Sequence, residues 1–554
     1  MEIQTMKKLE EQALKKSGPD FTRLGFALFF MIGVLTYSFL SNSGIPNNMF
    51  LAVAALIGAY MAMNIGANDV ANNVGPAVGS KALTLTTAII IAAIFEAAGA
   101  LIAGGEVVKT IKKGIIDISA FGGNADPFIW AMMAALLAAA LWLNFATMMR
   151  APVSTTHSIV GGVMGAGIAA AGFSIVDWGT MAKIAASWVI SPVLGGIIAA
   201  AFLYAIKATI VFKDDRVKAA KQYVPVFVAL MSWAFVTYLT LKGLKKIWPQ
   251  VVDILNFIPF VALEMTKKPT FITALIMGFV AAIAVYFFVK AKIRSNTTAL
   301  ENTRASVNTL FTIPLIFAAA LLSFAHGAND VANAIGPLAA INDAVVNGGI
   351  SSKASIPLWV MGVGALGIAL GLALYGPKLI KTVGSEITEL DQMRAFSIAM
   401  AASITVIIAS QLGLPVSSTH IAIGGVFGVG FLREWLHAQD RLDNSSQAST
   451  LEEEELVMED EKKNLDAYNH ELLALEDKDN KNQEDYERIV SLYKYIADEQ
   501  KLIKSSKKII KKAKKVEYVK RDAIKKIITA WIITVPAAAI LSGILFFMIK
   551  GIMI

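Results

Sequence analysis

The chain has 554 residues, of which 56% are hydrophobic and 17% charged, and its mean hydropathy is +0.59. A soluble chain carries about 25% charge, so a water-soluble globular protein is excluded and a polytopic α-helical membrane protein is expected. The absence of cysteine excludes disulfides, thiolate metal sites and thiol catalysis, and the net charge of +8 reports membrane topology before it reports an acidic partner.

Residues 1–20 are charged and amphipathic with no small-residue cleavage site, which reads as a retained cytoplasmic leader. A first span follows at about 22–42, then apolar segments at about 49–66, 84–104, 128–148, 154–172 and 184–206. Two more spans, at about 224–241 and 270–290, form a linker. Lys207, Lys213, Arg216, Lys218 and Lys221, and later Lys290, Lys292, Arg294 and Arg304, mark cytoplasmic ends. Against that bias, the loop 242–268, expected outside, carries five Lys against Asp253 and Glu264.

Three motifs recur in order. GANDVANNVGP at 66–76 returns as GANDVANAIGP at 327–337, offset by 261. PVSTTHSIVGG at 152–162 returns as PVSSTHIAIGG at 415–425, offset by 263. A third echo pairs Val108-Lys109-Thr110-Ile111 with Ile380-Lys381-Thr382-Val383. The chain is thus read as a duplicated unit: 1–48 a leader with an extra span, 49–206 repeat one, 207–307 the linker, 308–436 repeat two, 437–526 an insert, and 527–554 the last span of repeat two. The span count starts repeat one outside and repeat two inside, so the expected fold is all-α, with inverted-topology repeats and broken or re-entrant helices. That combination is the signature of secondary transporters.

The polar motifs then face a protein-lined cavity near the midplane rather than lipid. Gly66, Gly75-Pro76, Gly327 and Gly336-Pro337 are expected to break their helices and free backbone groups. Asn68, Asp69, Asn72 and Asn73, with Asn329, Asp330 and Asn333, add oxygens suited to a hard cation. Helix capping is the bland account of such residues beside Gly. PVSTTH and PVSSTH read as helix starts, where Ser154, Thr155, Thr156, Ser417, Ser418 and Thr419 offer hydroxyls beside free N–H groups, an oxyanion site. His157 and His420 are secondary candidates, against a packed role. Glu96 lies in an apolar span, where a carboxylate is costly and functional by default; it could bind a cation, carry a proton or pair with a motif Asn. Lys109-Thr110 and Lys381-Thr382 lie where spans leave the membrane, and snorkelling is the plain reading of the lysines. His326 abuts the second GAND copy and could tune that site.

These motifs resemble the duplicated signatures of the inorganic phosphate transporter (PiT) family. FEAAGALIAG, VVKTIKKGIID and KTVGSEITEL extend the likeness, which covers about 49–206, 308–436 and the last span. The resemblance implies phosphate symport with Na⁺ or H⁺ by an elevator-like or rocking movement. It carries Asn68, Asp69, Asn72, Asn329, Asp330 and Asn333 over as ion and phosphate residues, the six Ser and Thr positions as phosphate hydroxyls, and Glu96 as a functional acid. In the working assignment Asn68, Asp69, Glu96, Asn329 and Asp330 take the cation, with Na⁺ at Asp69 and Asp330. Asn72, Asn333 and the hydroxyls take phosphate, with Asn73, His157, His420, Thr110 and Thr382 in reserve. Eukaryotic relatives carry a Glu where this chain has Ala399. An oxyanion needs donors, and a membrane negative inside opposes its entry, so a cation must accompany it.

The insert turns from acidic (LEEEELVMEDEKKNLD) to basic (KLIKSSKKIIKKAKK), which reads as an antiparallel helical hairpin on the cytoplasmic side. Its basic arm could touch anionic lipid. No cofactor beyond the co-transported ion is expected, and no enzyme activity. The expected partners are phosphate, the cation and the bilayer of an inner or plasma membrane. A homodimer stays open and nucleic acid is not expected. The C-terminus is expected outside. Competing readings are a sulfate permease on the same fold, a membrane-embedded hydrolase and a channel.

Overall fold

The computed structural model describes the backbone of residues 2–122, 124–149, 153–257, 266–296, 300–347, 349, 356–386, 390–443, 445–479, 481–514 and 521–554, with side chains except at 2–20, 113, 246, 294–296, 378, 381–386, 438–456, 508–514 and 521–527. In chain order the helices are α1 (Glu2–Ser41), α2 (Asn48–Asn68), α3 (Val70–Gly79), α4 (Leu85–Ala103), α5 (Gly105–Lys113), α6 (Ala125–Met148) and α7 (Thr155–Ala171). Next come α8 (Trp178–Ile206), α9 (Arg216–Lys242), α10 (Trp248–Asn256), α11 (Phe271–Asn296), α12 (Arg304–Leu310) and α13 (Thr312–Val346). The last are α14 (Leu358–Glu386), α15 (Gln392–Gln411), α16 (Ser418–Asp443), α17 (Ser445–Glu476), α18 (Gln483–Lys514) and α19 (Arg521–Met553). Among the described residues, eleven helical segments are long and apolar enough to cross a membrane.

The chain divides into two compact units, 1–429 with 521–554, and 430–520. In the first unit, burial separates helices that composition leaves alike. The apolar stretch of α13 is 89% buried, whereas those of α1 and α11 are 17% buried. An apolar helix that leaves most of its surface uncovered is solvated by lipid. Its exposed Phe279, Ile283, Phe287 and Phe288 on α11 belong to that surface.

The core rests on helices exchanged between the two repeats. A Cβ on Gly66 of α2 would lie 1.9 Å from the Ile368 carbonyl of α14. A Cβ on Gly327 of α13 would lie 2.2 Å from the Glu96 carbonyl of α4. Each motif helix therefore packs backbone to backbone on the helix that follows the other motif. Small residues permit this approach, which supplies van der Waals contact where lipid removes the hydrophobic drive.

That close packing corrects the expected breaks. α13 runs unbroken through Gly327 and Gly336-Pro337 for 35 residues. In the first repeat the helix is interrupted only at Asp69, between α2 and α3. Gly66 and Gly327 admit a neighbouring backbone, and Gly336 the Ile111 side chain, without stopping the helix. Pro76 and Pro337 sit inside helices and lack an N–H, which removes the bonds that the Asn72 and Asn333 carbonyls would accept.

The segments 128–148 and 154–172, read as two crossings, are α6 and α7. α7 has 17 residues, about 25 Å of helix, short of a hydrocarbon core of about 30 Å. The bases of α6 and α7 are tied by a bridge between Ile116 and Val176, with Asp117 N donating to Ile175 O at 2.7 Å. The pair is an antiparallel helical hairpin whose two outer ends lie together. α15 and α16 form its counterpart, and the two tips meet where Thr156 Oγ1 donates to Val416 O at 2.9 Å.

The second unit is a two-helix hairpin, α17 against α18. Leu472, Leu492 and Ile496 form its apolar seam. Arg488 grips Glu471 with two bonds of 2.8 and 2.9 Å, and Tyr493 Oη donates to Glu476 at 2.7 Å.

Candidate functional site

Hairpin tips and motif helices converge on one buried cluster. Ser154 and Ser417 cap α7 and α16, accepting from His157 N at 3.1 Å and His420 N at 3.3 Å. Capping turns the following hydroxyls and the first-turn N–H groups toward the motif helices. Thr155 Oγ1 donates to Asp69 Oδ2 at 2.6 Å, and Thr419 Oγ1 approaches Asp69 Oδ1 at 3.4 Å. Ser418 Oγ donates to Asp330 Oδ2 at 3.2 Å. All of these groups are buried.

The asparagines divide by position. Asn68 Nδ2 donates to Thr147 Oγ1 at 2.8 Å, and Asn329 Nδ2 to Ser410 Oγ at 2.9 Å and Leu414 O at 3.2 Å. Each holds the hairpin of its own repeat. Asn72 Nδ2 donates to Thr419 Oγ1 at 2.9 Å, and Asn333 Nδ2 to Thr155 and Thr156 Oγ1, both at 3.1 Å. These hold the hairpin of the other repeat. One helical turn between the two Asn positions thus separates local anchoring from exchange.

Behind Asp330 lies a pair that has no symmetric counterpart. His326 Nδ1 is 2.7 Å from Glu96 Oε2, and its Nε2 is 2.9 Å from Asp330 Oδ2, the latter off the hydrogen-bond direction. Asn73 Nδ2 donates to Glu96 Oε1 at 2.8 Å. By the motif offset, His326 corresponds to Ile65 in the first repeat, and no acid answers Glu96 in the second. These two residues, neither with a like residue at the offset position, are each other's partners. Sequence reasoning placed Glu96 in the site and gave His326 little weight. Their shared lack of a repeat partner was the signal available.

One ligand atom from each of Asp69, His326 and Asp330 lies within 4.8 Å of the others. Asn73 Oδ1, Asn329 Oδ1, Asp330 Oδ1 and Asn333 Oδ1 are buried acceptors with no donor among the described residues. Buried acceptors of this kind suit a ligand bearing positive charge, and oxygen donors suit a hard cation such as Na⁺. The adjoining hydroxyls and N–H groups at two helix N-termini suit an oxyanion. The arrangement seats opposite charges side by side.

The remaining candidates lie at the periphery. His157 and His420 face each other with ring centroids 4.6 Å apart, backed by Trp188 at 3.8 Å and Trp531 at 3.5 Å. Thr110 Oγ1 donates to Gly413 O at 2.7 Å, touching the second hairpin tip. The Thr382 and Lys381 side chains, and Arg150 and Pro152, lie outside the described residues. Reasoning from sequence also missed Lys112 and Asp343, a buried ion pair at 3.0 Å between α5 and α13.

The family model described as "Phosphate transporter family" matches residues 65–542. A protein of Helicobacter pylori (strain J99), provisionally named a phosphate permease, is 50% identical over 573 residues, covering 99% of this chain and 98% of its own length. One of Haemophilus influenzae with the same provisional name is 39% identical over 382 residues, covering 69% of this chain and 87% of its own. A solved structure described as "The sodium-dependent phosphate transporter" is 29% identical, covers 91% of this chain and 99% of that one, and superposes with a TM-score of 0.69.

Proposed function

Since the chain belongs to the phosphate transporter family and is a multi-pass membrane protein, we propose that it imports inorganic phosphate together with a cation by alternating access. It is a carrier and not an enzyme. The observation that carries the coupling is the bond from Thr155 to Asp69, 2.6 Å long. It puts a hydroxyl of the anion-binding helix start on a carboxylate of the cation cluster.

In this reading Asp69, Asp330 and the buried Asn oxygens hold the cation, while Thr155, Thr156, Ser418, Thr419 and the first-turn N–H groups hold phosphate. A protonated phosphate oxygen can donate to an Asp carboxylate, which sulfate cannot do, so the cluster favours phosphate. The cation removes the cost of leaving Asp69 and Asp330 charged and close together, and so prepares the hydroxyls for the anion. Glu96 and His326 orient Asp330 from behind. The oxygen-rich donor set and the sodium-dependent neighbour favour Na⁺ over H⁺.

The same reading has the halves inverted, the two hairpins as moving parts, and the protein in an inner or plasma membrane. The N-terminus and the α17–α18 hairpin then lie inside and the C-terminus outside. The test is uptake of radiolabelled phosphate into proteoliposomes under an imposed Na⁺ or H⁺ gradient, with and without excess sulfate. Uphill uptake under one gradient, indifferent to sulfate, is expected. Equal uptake under no gradient, or competition by sulfate, would overturn it.

A further inference from the structure

Five lysines crowd the loop 242–268, on the face where the Lys/Arg bias predicts few. In the fold, two of them join a third from a distant part of the chain. Lys245 Nζ lies 3.0 Å from Glu106 Oε1, and Lys109 Nζ 3.3 Å from Glu106 Oε2. Lys242 is within electrostatic reach of the same carboxylate. Three ammoniums thus share one carboxylate and leave a net charge of +2. Lys109 and Lys245 keep about half their surface exposed, at 56% and 44%.

The cluster is joined to the site by a short path. Thr110, next to Lys109, donates to Gly413 O, and Asn329 of the second motif donates to the carbonyl of the following residue, Leu414. A positive patch of this kind raises the local concentration of an anion and its rate of arrival.

We propose that Lys109, Lys242 and Lys245, arranged round Glu106, form an oxyanion-capture site at the outer mouth of the transport path, through which phosphate reaches the second hairpin tip. The proposal rests on the transport reading above. Glu106 spaces the ammoniums and limits their hold, so that a captured anion moves on. The ammoniums are screened by salt over about 10 Å at 0.1 M, which gives the site a signature that packing lacks.

Two measurements test it. In proteoliposomes at low ionic strength, the triple variant K109Q/K242Q/K245Q is expected to raise the phosphate KM roughly threefold or more at unchanged kcat. The difference should shrink in high salt, and the triple Arg variant should keep the wild-type KM. An unchanged KM, or a rise indifferent to salt, overturns the proposal. The second measurement needs no transport. A Cβ on Gly105, beside Glu106, meets open space, and the chain has no other cysteine. Gly105→Cys should react faster with an anionic than with a cationic methanethiosulfonate applied outside intact cells, relative to a free thiol. The triple Gln change should abolish that preference. A thiol reached only from inside, or one with no charge preference, overturns the proposal. Absence of phosphate uptake by the wild type would fail the transport reading, while the thiol ratio would still decide the capture site.

Discussion

Asn333 of α13 donates to both Thr155 and Thr156 of α7 at 3.1 Å, so the second motif holds the first hairpin. Asn72 returns the same service to Thr419 of the second hairpin at 2.9 Å. Neither hairpin tip can move without breaking a bond to the opposite repeat. Ligands that replace those bonds are therefore able to release or lock both tips together, which is what coupling requires.

Asp69→Asn keeps an acceptor for Thr155 but removes the charge. Cation-dependent uptake should be lost while the protein still inserts and melts near the wild-type temperature. Thr155→Val, which keeps Asp69 charged, should raise the phosphate KM and leave the cation dependence. Counterflow assays at varied cation concentration separate the two, and identical defects would show that the cluster does not divide its ligands.

His326→Ala would leave Glu96 buried opposite Asp330 with one partner gone. Breaking a buried pair costs about 3–5 kcal/mol, so a marked fall in melting temperature is expected. Combining it with Glu96→Gln should recover a large part of that loss, because the unpaired charge is then removed. Additive losses in the double variant would mean the two residues act independently.

Gly327→Ala places a Cβ 2.2 Å from the Glu96 carbonyl, a collision that only separation of α13 from α4 can relieve. Folded yield and uptake should both fall steeply. Gly362→Ala, whose Cβ meets nothing within 4 Å on the neighbouring α14, is the control and should be close to neutral. Comparable yields for the two would show that the helices tolerate more separation than this packing implies.

Lys112 and Asp343 pair at 3.0 Å with side chains 9% and 4% exposed. Lys112→Met or Asp343→Leu alone should destabilise by about 3–5 kcal/mol, whereas the double variant should be nearly neutral. Denaturation of the four proteins in detergent gives the coupling energy directly.

Glu106 shows how the capture site should respond to pH. Burial alone would raise this carboxyl, but Lys245, Lys242 and Lys109 hold it down at about 2, from an ordinary value of 4.5. A depressed folded pKa contributes stability above the unfolded value and loses it as pH falls from about 4.5 toward about 2. The carboxylate therefore stays charged at pH 5 and above. The ratio of phosphate KM between K245Q and wild type should be constant from about pH 5 to 6, where phosphate stays a monoanion, and a ratio that drifts across that range would place the titrating group within the cluster.

The duplication, the polar motifs and the helix-starting PVSTTH and PVSSTH segments were legible because they are local. Each needs only a short window and a comparison at offset 261 or 263. The same locality misled at Gly327, where a helix-breaking residue proved to be a contact for Glu96 of α4.

The sequence by itself determined that the chain lives in a membrane, that its motifs occur twice, and which acids, amides and hydroxyls those motifs contain. Hydropathy and spacing are sufficient for this, because lipid penalises any buried polar group without a purpose. Only the tertiary structure decided that Asn68 and Asn329 hold their own hairpins while Asn72 and Asn333 hold the other's, and that Glu96 finds His326, 230 positions away. Those pairings follow from backbones brought together at glycines on exchanged helices. Which helix lies across from a glycine is a property of the assembled core, and no stretch of sequence contains it.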